Sequence, residues 1–390
     1  MRVLHWYPNF LGGGGVANAV LGLAKAQAEL GIKVAIACAE LRSQPLYQPM
    51  EAPEGVQLLS WKPTWKVQMG AVTLRGIGKS SRVAFSKFGP SVVHIHGEFN
   101  PDNLWVPLLF PRACLVLSPH GAFHPVALRK SRVLFKRFYI ALADRLLYRH
   151  LCAFHALSPA EAEHIQDVFG SRTVYVVPQG PSPYVYISPE EETELVQGRR
   201  QADDIRLIFV GRLDLYTKGL DILLEAFAEA VRTIRRPVSL TLVGPDWKGS
   251  IEILKQKIRE MGLDSKVAFT GPVTGTQVRK FLAQSDLYVH LSRHEGFPSS
   301  VSEALVLGKP SILSSAIGTV SYADIAGLAS VKVVPPDKHH AAKAMIEAIE
   351  DLPQLKVKSE QCLERVREFF DWHEIAKQHV DLYKRFASRS

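Results

Sequence analysis

What this 390-residue sequence lacks is the first guide to it. No apolar run approaches the ~20 residues that a membrane-spanning helix needs, and the longest candidate, Leu104 to Leu117, is interrupted by Pro107, Pro111 and Arg112. Cysteine is scarce. Cys38, Cys114, Cys152 and Cys362 lie far apart and form no C-x-x-C pair, which argues against a disulfide framework or a cysteine zinc site and for a reducing cytoplasm. The amino terminus offers one basic residue and then RVLHWYP with a glycine run, a first strand and loop rather than a signal peptide. Repeats and low-complexity tracts are missing. The chain is too long for one core and suits two domains of ordinary size.

Acidic residues are also scarce in one half. Residues 1–180 hold 19 Lys and Arg against 10 Asp and Glu, whereas the remainder holds 28 against 28. The whole formal excess of +9 therefore belongs to the first half. A one-sided basic domain points to an anionic partner there: a membrane surface, an acidic acceptor or nucleic acid. Much of the excess falls on a pattern predicted as one long helix, 126–150, with Arg129, Lys130, Arg132, Lys136, Arg137, Arg145 and Arg149 against Asp144 alone. Leu, Phe and Tyr recur at three-to-four spacing, so the helix is amphipathic, its basic face either simply solvated or set against anionic lipid.

Strand and helix patterns alternate throughout, which predicts an α/β chain with mainly parallel sheets. Strands are expected at Arg2–Tyr7, Lys33–Cys38, Val56–Leu59, Val92–His96, Ala153–Ala156 and Thr173–Val177, with helices at Val16–Leu30 and Val72–Phe88. Trp61 and Trp65 beside Lys62 and Lys66 read as a loop, its tryptophans half-buried or facing an acceptor or lipid. A stretch rich in proline and charge follows, and the pattern restarts at Ile205–Val210. The domains are placed at 1–180 and 205–370, with a linker at 181–204 and a closing helix in 371–390 that returns to the first domain.

The chain is organised around VHLSRHEGFPSSVSEALVLGKPSIL, Val289 to Leu313. This reads as a buried strand, a short loop, a helix from about Ser299 and another strand at Ser311. Such a corner aims the unpaired N–H groups of the first helical turn past the strand end, an anion site. Two acids accompany it, Glu295 and Glu303, so the ligand carries hydroxyls as well as phosphate: a nucleotide-linked sugar. An alternative for Glu303 is the capping box S-x-x-E with Ser300. Glu295 could equally be a solvated loop acid. At a second strand-to-helix corner Gly211 and Arg212 end a strand and Lys218 opens a helix, a cation pair suited to a diphosphate. The G-K-[ST] order of a Walker loop is missing. Backbone from Gly271 to Val273 could edge a nucleobase.

In the first half, PNFLGGGG lets backbone approach a ligand closely, although no acid at the ribose position completes a dinucleotide fingerprint. His96 and His120 each precede a glycine at a strand end, where the ligand crevice of an open sheet lies. His94, His96, His120 and His124 invite a metal, but no paired acid follows at ligand spacing; a hydrogen bond from His120 to a sugar hydroxyl is the sharper reading.

Taken together, GGGGV (Gly12 to Val16), His120–Gly121, VPQG (Val177 to Gly180), GRLDLYTKG (Gly211 to Gly219), FTGPV (Phe269 to Val273) and EGFPSSVSEAL (Glu295 to Leu305) resemble the retaining glycosyltransferases of family 4, which have the two-Rossmann GT-B fold. They run in family order over nearly the whole chain. The resemblance implies two Rossmann-like domains facing a cleft, with the acceptor held mainly by the first and the donor mainly by the second. It implies that Arg212 and Lys218 neutralise the donor diphosphate, Glu295 approaches the donor sugar, Glu303 binds ribose hydroxyls and His120 contacts the sugar. Gly14 and Gly15 would border the diphosphate, and Gly211, Val273, Gly296, Phe297, Pro298, Ser299 and Ser300 would complete the donor site. Neither cofactor nor metal is implied, and nucleic acid is not the expected partner. The expected activity moves a hexose-type sugar from a nucleoside-diphosphate sugar to a glycan or lipid-linked acceptor in polysaccharide or lipopolysaccharide assembly, in the cytoplasm or at the inner face of the plasma membrane. An epimerase or phosphorylase on the same fold is the alternative. Two departures stand out. Pro298, where many relatives have glycine, has no N–H, and the segment after Gly318 lacks the glycine-rich spelling common there.

Overall fold

The computed structural model describes residues 1–40, 50–69, 72–130, 132–185 and 204–388, so most of the expected linker lies outside the described residues. The chain forms two compact units, the first from Met1–Gly180 with Asp371–Ser390 and the second from Pro181–Phe370. In chain order the strands of the first unit are β1 (Arg2–Trp6), β2 (Lys33–Ala39), β3 (Val56–Trp61), β4 (Pro63–Met69), β5 (Val72–Ile77), β6 (Val92–His96), β7 (Cys114–Ser118), β8 (Leu151–Ala156) and β9 (Val174–Val176). Those of the second are β10 (Ile205–Val210), β11 (Val238–Val243), β12 (Val267–Gly271), β13 (Leu287–His290), β14 (Ser311–Ser314) and β15 (Val331–Val334).

Each unit is an open parallel sheet covered by helices. The first sheet runs β3-β2-β1-β6-β7-β8-β9 and the second β12-β11-β10-β13-β14-β15, every pairing parallel. Strands buried on both faces read as unbroken apolar runs, which is why VVHIH, CLVLS and LYVH are buried along their whole length. The closing helix, Trp372–Ala387, belongs to the first unit. Its Trp372 packs where a Cβ at Gly22 or Gly180 would collide with the indole.

Two expected elements differ. The stretch around Trp65 is a hairpin of β4 and β5, and the helix that follows begins only at Lys79 and ends at Phe88. Val-Thr-Leu-Arg-Gly-Ile favours a strand, and Gly76 admits the Trp65 ring, which a Cβ there would strike. Trp61 is fully buried against Trp6 while Trp65 is half exposed. The basic helix expected over 126–150 is two helices, Pro125–Lys130 and Val133–Leu146, then a 3₁₀ turn, Tyr148–His150. The break is at Arg132, which takes the left-handed conformation at φ 50 without a glycine to signal it.

Candidate active site

In the second sheet β10 and β13 lie side by side, with β11 beyond one and β14 beyond the other. Strand order reverses there, and ligands of open α/β sheets bind beyond the carboxyl ends at such a point. The loop from Gly211 to Gly219 leaves β10, and the loop from Leu291 to Pro298 leaves β13. Arg293 locks them together. Its N–H donates to the Thr217 carbonyl at 3.0 Å, and its guanidinium forks onto Asp221 at 2.7 and 2.7 Å while donating to the Tyr216 carbonyl at 2.8 Å. Gly219, at φ 62, is obligatory, because a Cβ would collide with the Leu291 carbonyl.

This brace sets Lys218 against Glu295. The ammonium donates to Glu295 Oε2 at 2.5 Å, both side chains being only 13% and 15% exposed. The other carboxylate oxygen accepts from Ser292 Oγ at 2.5 Å and from His290 Nε2 at 2.6 Å. Burial alone would raise the Glu295 pKa, but Lys218 and His290 outweigh it and hold the carboxyl well below its ordinary range. Burial lowers that of His290 despite Glu295, so the ring is neutral. With Nε2–H committed to the carboxylate, Nδ1 accepts the Tyr288 hydroxyl at 2.7 Å, and Ser300 Oγ lies 2.9 Å from the same phenol oxygen. The Glu295 backbone is fixed as well: its N–H donates to the Ala316 carbonyl at 3.3 Å and its carbonyl accepts from Gly318 N–H at 2.9 Å.

Arg212 stacks on Trp247, with Cζ 4.1 Å from the ring centroid, and its buried Nε has no hydrogen-bond partner among the described residues. A buried guanidinium N–H left without an acceptor is costly, so the position fits an anion. A Cβ at Gly211 would lie 3.7 Å from the Lys218 stem. The helix Ser299–Val306 begins after Pro298, which offers no side-chain cap; Ser299 and Ser300 are its first residues, where backbone N–H groups are free for a ligand. Phe297 is buried against Phe370, with ring centroids 6.2 Å apart, and anchors the turn. Gly296 is half-buried in the same loop.

Glu303 is not a cap. Ser300 is the second helical residue, so Glu303 lies beyond the position from which it could return to an N-cap. Burial raises its pKa to about 7, against a backbone N–H from Ser182, and both it and Glu295 act on the Tyr288 hydroxyl. The unit's real capping box is Thr274–Gln277, directly after the half-buried Val273.

The remaining expected residues belong to the first unit. Gly14 caps the helix Gly15–Glu29 at φ 94, a conformation open to glycine, and both glycines are at least partly accessible. His120 sits in the loop after β7 at φ 54, with Nε2 3.2 Å from His96 Nδ1; burial lowers its pKa to about 3. His124 receives the Val126 N–H instead. The ring nitrogens of His5, His94 and His96 lie within 4.8 Å of one another, but each already has a protein partner. Sequence reasoning missed Tyr288, His290 and Ser292. Tyr288 and His290 lie in a run read as an apolar strand and Ser292 in the polar loop after it, and a histidine five residues before the acid was the available signal.

Two family models match the chain, one described as "Glycosyl transferase 4-like domain" over residues 14–180 and one as "Glycosyl transferases group 1" over residues 190–365. The chain is a glycosyltransferase of the GT-B, family-4 type. This glycosyltransferase is 23% identical, over all of its length and 94% of the relative's, to the GDP-mannose:cellobiosyl-diphosphopolyprenol alpha-mannosyltransferase of Komagataeibacter xylinus. Its fold is similar to that of sucrose-phosphate synthase from Thermosynechococcus elongatus, at TM-score 0.78 and 18% identity, covering 100% of both chains. Anabaena HepE, solved in complex with UDP and glucose, superposes at TM-score 0.73 with 18% identity over 98% and 99% of the two chains.

Proposed function

We propose that this glycosyltransferase moves a hexose-type sugar from a nucleoside-diphosphate sugar to a glycan or lipid-linked acceptor, with retention of anomeric configuration and without a metal. The observation that carries the reading is the unpaired Arg212 Nε–H in the loop that also carries Lys218, the partner of Glu295 from the neighbouring loop. As the bond from sugar to diphosphate breaks, negative charge grows on the leaving oxygens. Arg212, Lys218 and the amides of Ser299 and Ser300 supply fixed positive charge for it, the electrostatic strategy such a leaving group requires. Glu295, kept ionised, accepts hydrogen bonds from sugar hydroxyls, Glu303 takes those of the ribose and His120 meets a further sugar hydroxyl. The names of the Komagataeibacter relative and the HepE complex, with GDP-mannose in one and UDP in the other, support a nucleotide-sugar donor. Thermal shift with UDP-, GDP- and ADP-sugars tests this: one donor raises the melting point by mass action, and acceptor then releases nucleoside diphosphate and gives a product of unchanged anomeric configuration. No shift and no release with any donor sinks the reading.

A second observation supports a membrane location at the inner face of the plasma membrane. Among the described residues no helix is long and apolar enough to cross a membrane. Yet Leu134 and Phe138, one turn apart on Val133–Leu146, are 81% and 67% exposed among the exposed Arg129, Lys130, Arg132, Arg137, Arg145 and Arg149. Apolar side chains within a basic face suit an anionic bilayer surface. Co-sedimentation with phosphatidylglycerol vesicles, but not phosphatidylcholine ones, and its loss in Leu134→Glu with Phe138→Glu are the expected results.

A further inference from the structure

The first unit buries a layer of histidines that none of the chemistry above uses. His5 on β1 lies opposite His94 in register, His96 follows two residues on, and Ser118 and His155 occupy β7 and β8. Gln27 and Tyr383 cover them, and all of these side chains are buried. Burial lowers the pKa of His5, His94, His96, His120 and His155, so each ring is neutral and carries a single proton. A neutral imidazole donates from one nitrogen and accepts at the other, so one fixed acceptor orders every ring bonded in series with it.

That acceptor is the Val177 carbonyl, 2.8 Å from His155 Nε2. A carbonyl only accepts, so His155 carries its proton on Nε2 and offers a bare Nδ1. Ser118 must donate to that Nδ1 at 2.5 Å, and its oxygen then accepts His94 Nε2–H at 2.5 Å. His94 Nδ1, now bare, takes the Tyr383 O–H at 2.5 Å. With its proton committed the Tyr383 oxygen can only accept. Beside it the Gln27 amide, whose nitrogen makes no hydrogen bond among the described residues, presents Oε1 to His5 Nε2 at 2.9 Å; an amide oxygen only accepts. His5 therefore donates from Nε2 and accepts His96 Nε2–H on Nδ1 at 3.0 Å. His96 Nδ1 in turn accepts His120 Nε2–H at 3.2 Å. The series ends on His120 Nδ1, for which no protein partner occurs among the described residues.

We propose that Gln27, His5 and His96 are positioning residues that hold His120 as the Nε2–H tautomer, so that its Nδ1 lone pair accepts a hydroxyl proton of the sugar ligand. The ligand half of this rests on the function proposed above; the tautomer half does not. A ring fixed in this way cannot donate from Nδ1 to a phosphate oxygen, which assigns His120 to a sugar hydroxyl and not to the diphosphate. The VPQG motif orders the neighbouring part of the layer, because its first residue supplies the carbonyl that fixes His155 and, through Ser118, His94.

The test is ¹⁵N-histidine NMR of the full ligand-free chain at pH 7 to 8, with the His120 ring signals identified by their loss in His120→Gln. The expected result is an Nε2–H tautomer for His120. Gln27→Met removes both amide groups at similar volume, and His96→Phe cuts the last link; each is expected to give a mixture of both tautomers. In donor-saturated assays Gln27→Met is expected to lower kcat about tenfold or more, as a wrong tautomer does, with donor KM unchanged. An Nδ1–H tautomer in the native chain overturns the proposal, and an unchanged tautomer in either variant removes the link that variant cuts. Because the spectra need no donor, a chain that shows the expected tautomer but turns over no nucleotide sugar refutes the function alone.

Discussion

The two units bury polar groups on the same parallel α/β frame in opposite ways. The first hides neutral imidazoles whose hydrogen bonds run from ring to ring and end on a backbone carbonyl. The second hides a carboxylate clamped between an ammonium and a neutral imidazole, and it leaves a guanidinium N–H without an acceptor. A layer of neutral groups, open among the described residues only at the Gln27 amide nitrogen and at His120 Nδ1, strands no charge and needs no ligand for stability. A charged cluster with a donor left over has an open valence, and that remainder marks the second unit as the place for an anion. Counting buried polar side chains would rank the histidine layer first; asking where an unpaired cation N–H adjoins a strand-end loop points to Arg212.

The sharpest way to break this contrast is to dismantle the clamp. Glu295→Gln keeps the shape and is expected to lower transfer by about 10²–10³-fold. Lys218→Ala is expected to lose transfer equally and, in addition, to cost about 2–3 kcal/mol, since it strips the chief cation from a buried carboxylate. Combining Lys218→Met with Glu295→Gln should recover most of that stability and none of the activity. A Lys218→Ala protein with native turnover would remove the pair from the mechanism.

Acid should part the units next. In the first, burial lowers His5 and His155 to about 4 and His120 to about 3, with His94, His96 and His379 also well below the ordinary value. The unfolded chain then binds more protons, so each ring's contribution is complete above about pH 6.5 and shrinks as pH falls toward the folded value, by about 1.4 kcal/mol per unit. The depressed Glu295 makes a contribution that is complete above about pH 4.5 and lost only below it. Glu303, raised to about 7, works the other way: its contribution is full below about pH 4.5 and is lost as pH rises through 7. Between pH 6.5 and 5 the first unit therefore weakens, its six rings outnumbering the raised carboxyls of Glu98, Asp102 and Glu161, whereas in the second the one lowered ring, His290, is offset by Glu303. Of the six tryptophans only Trp247 belongs to the second unit, so in Trp247→Phe fluorescence reads the first alone. Its urea midpoint should fall steadily across that range, and a flat midpoint would show the rings are not neutral in the folded state.

What the sequence disclosed follows from which forces are local. Strands buried on both faces spell themselves as apolar runs, so the doubly wound pattern was legible from Val92–His96 or Leu287–His290. Gly211, Lys218 and Glu295 were legible because a corner between strand and helix concentrates glycine and charge. Partners supplied from elsewhere were not. His290 and Tyr288 look like strand residues until the fold turns them under Glu295. Arg293 gives no sign of Asp221, 72 positions earlier. The S-x-x-E spelling at Ser300 misled because helix starts are set by backbone entry angle: the helix begins at Ser299, two residues too early for the box.

Glu303 offers the finest test, one that separates the ribose reading from any structural one. Glu303→Gln imitates the protonated side chain and keeps the Ser182 N–H supplied, so its melting point should match the native protein below pH 7. Were Glu303 a cap, Glu303→Ala would cost about 1 kcal/mol at unchanged donor affinity. The expected result is the converse. On the ribose reading the carboxylate accepts two ribose O–H groups above pH 7, and below it one oxygen carries a proton, so donor affinity should rise with pH through about 7. In Glu303→Gln the rise should vanish and affinity at pH 8 fall about tenfold, the loss of one charge-assisted hydrogen bond. Titrating donor by calorimetry at pH 6 and 8 decides it, because equal affinities for native and variant at both pH values would leave Glu303 no part in donor binding.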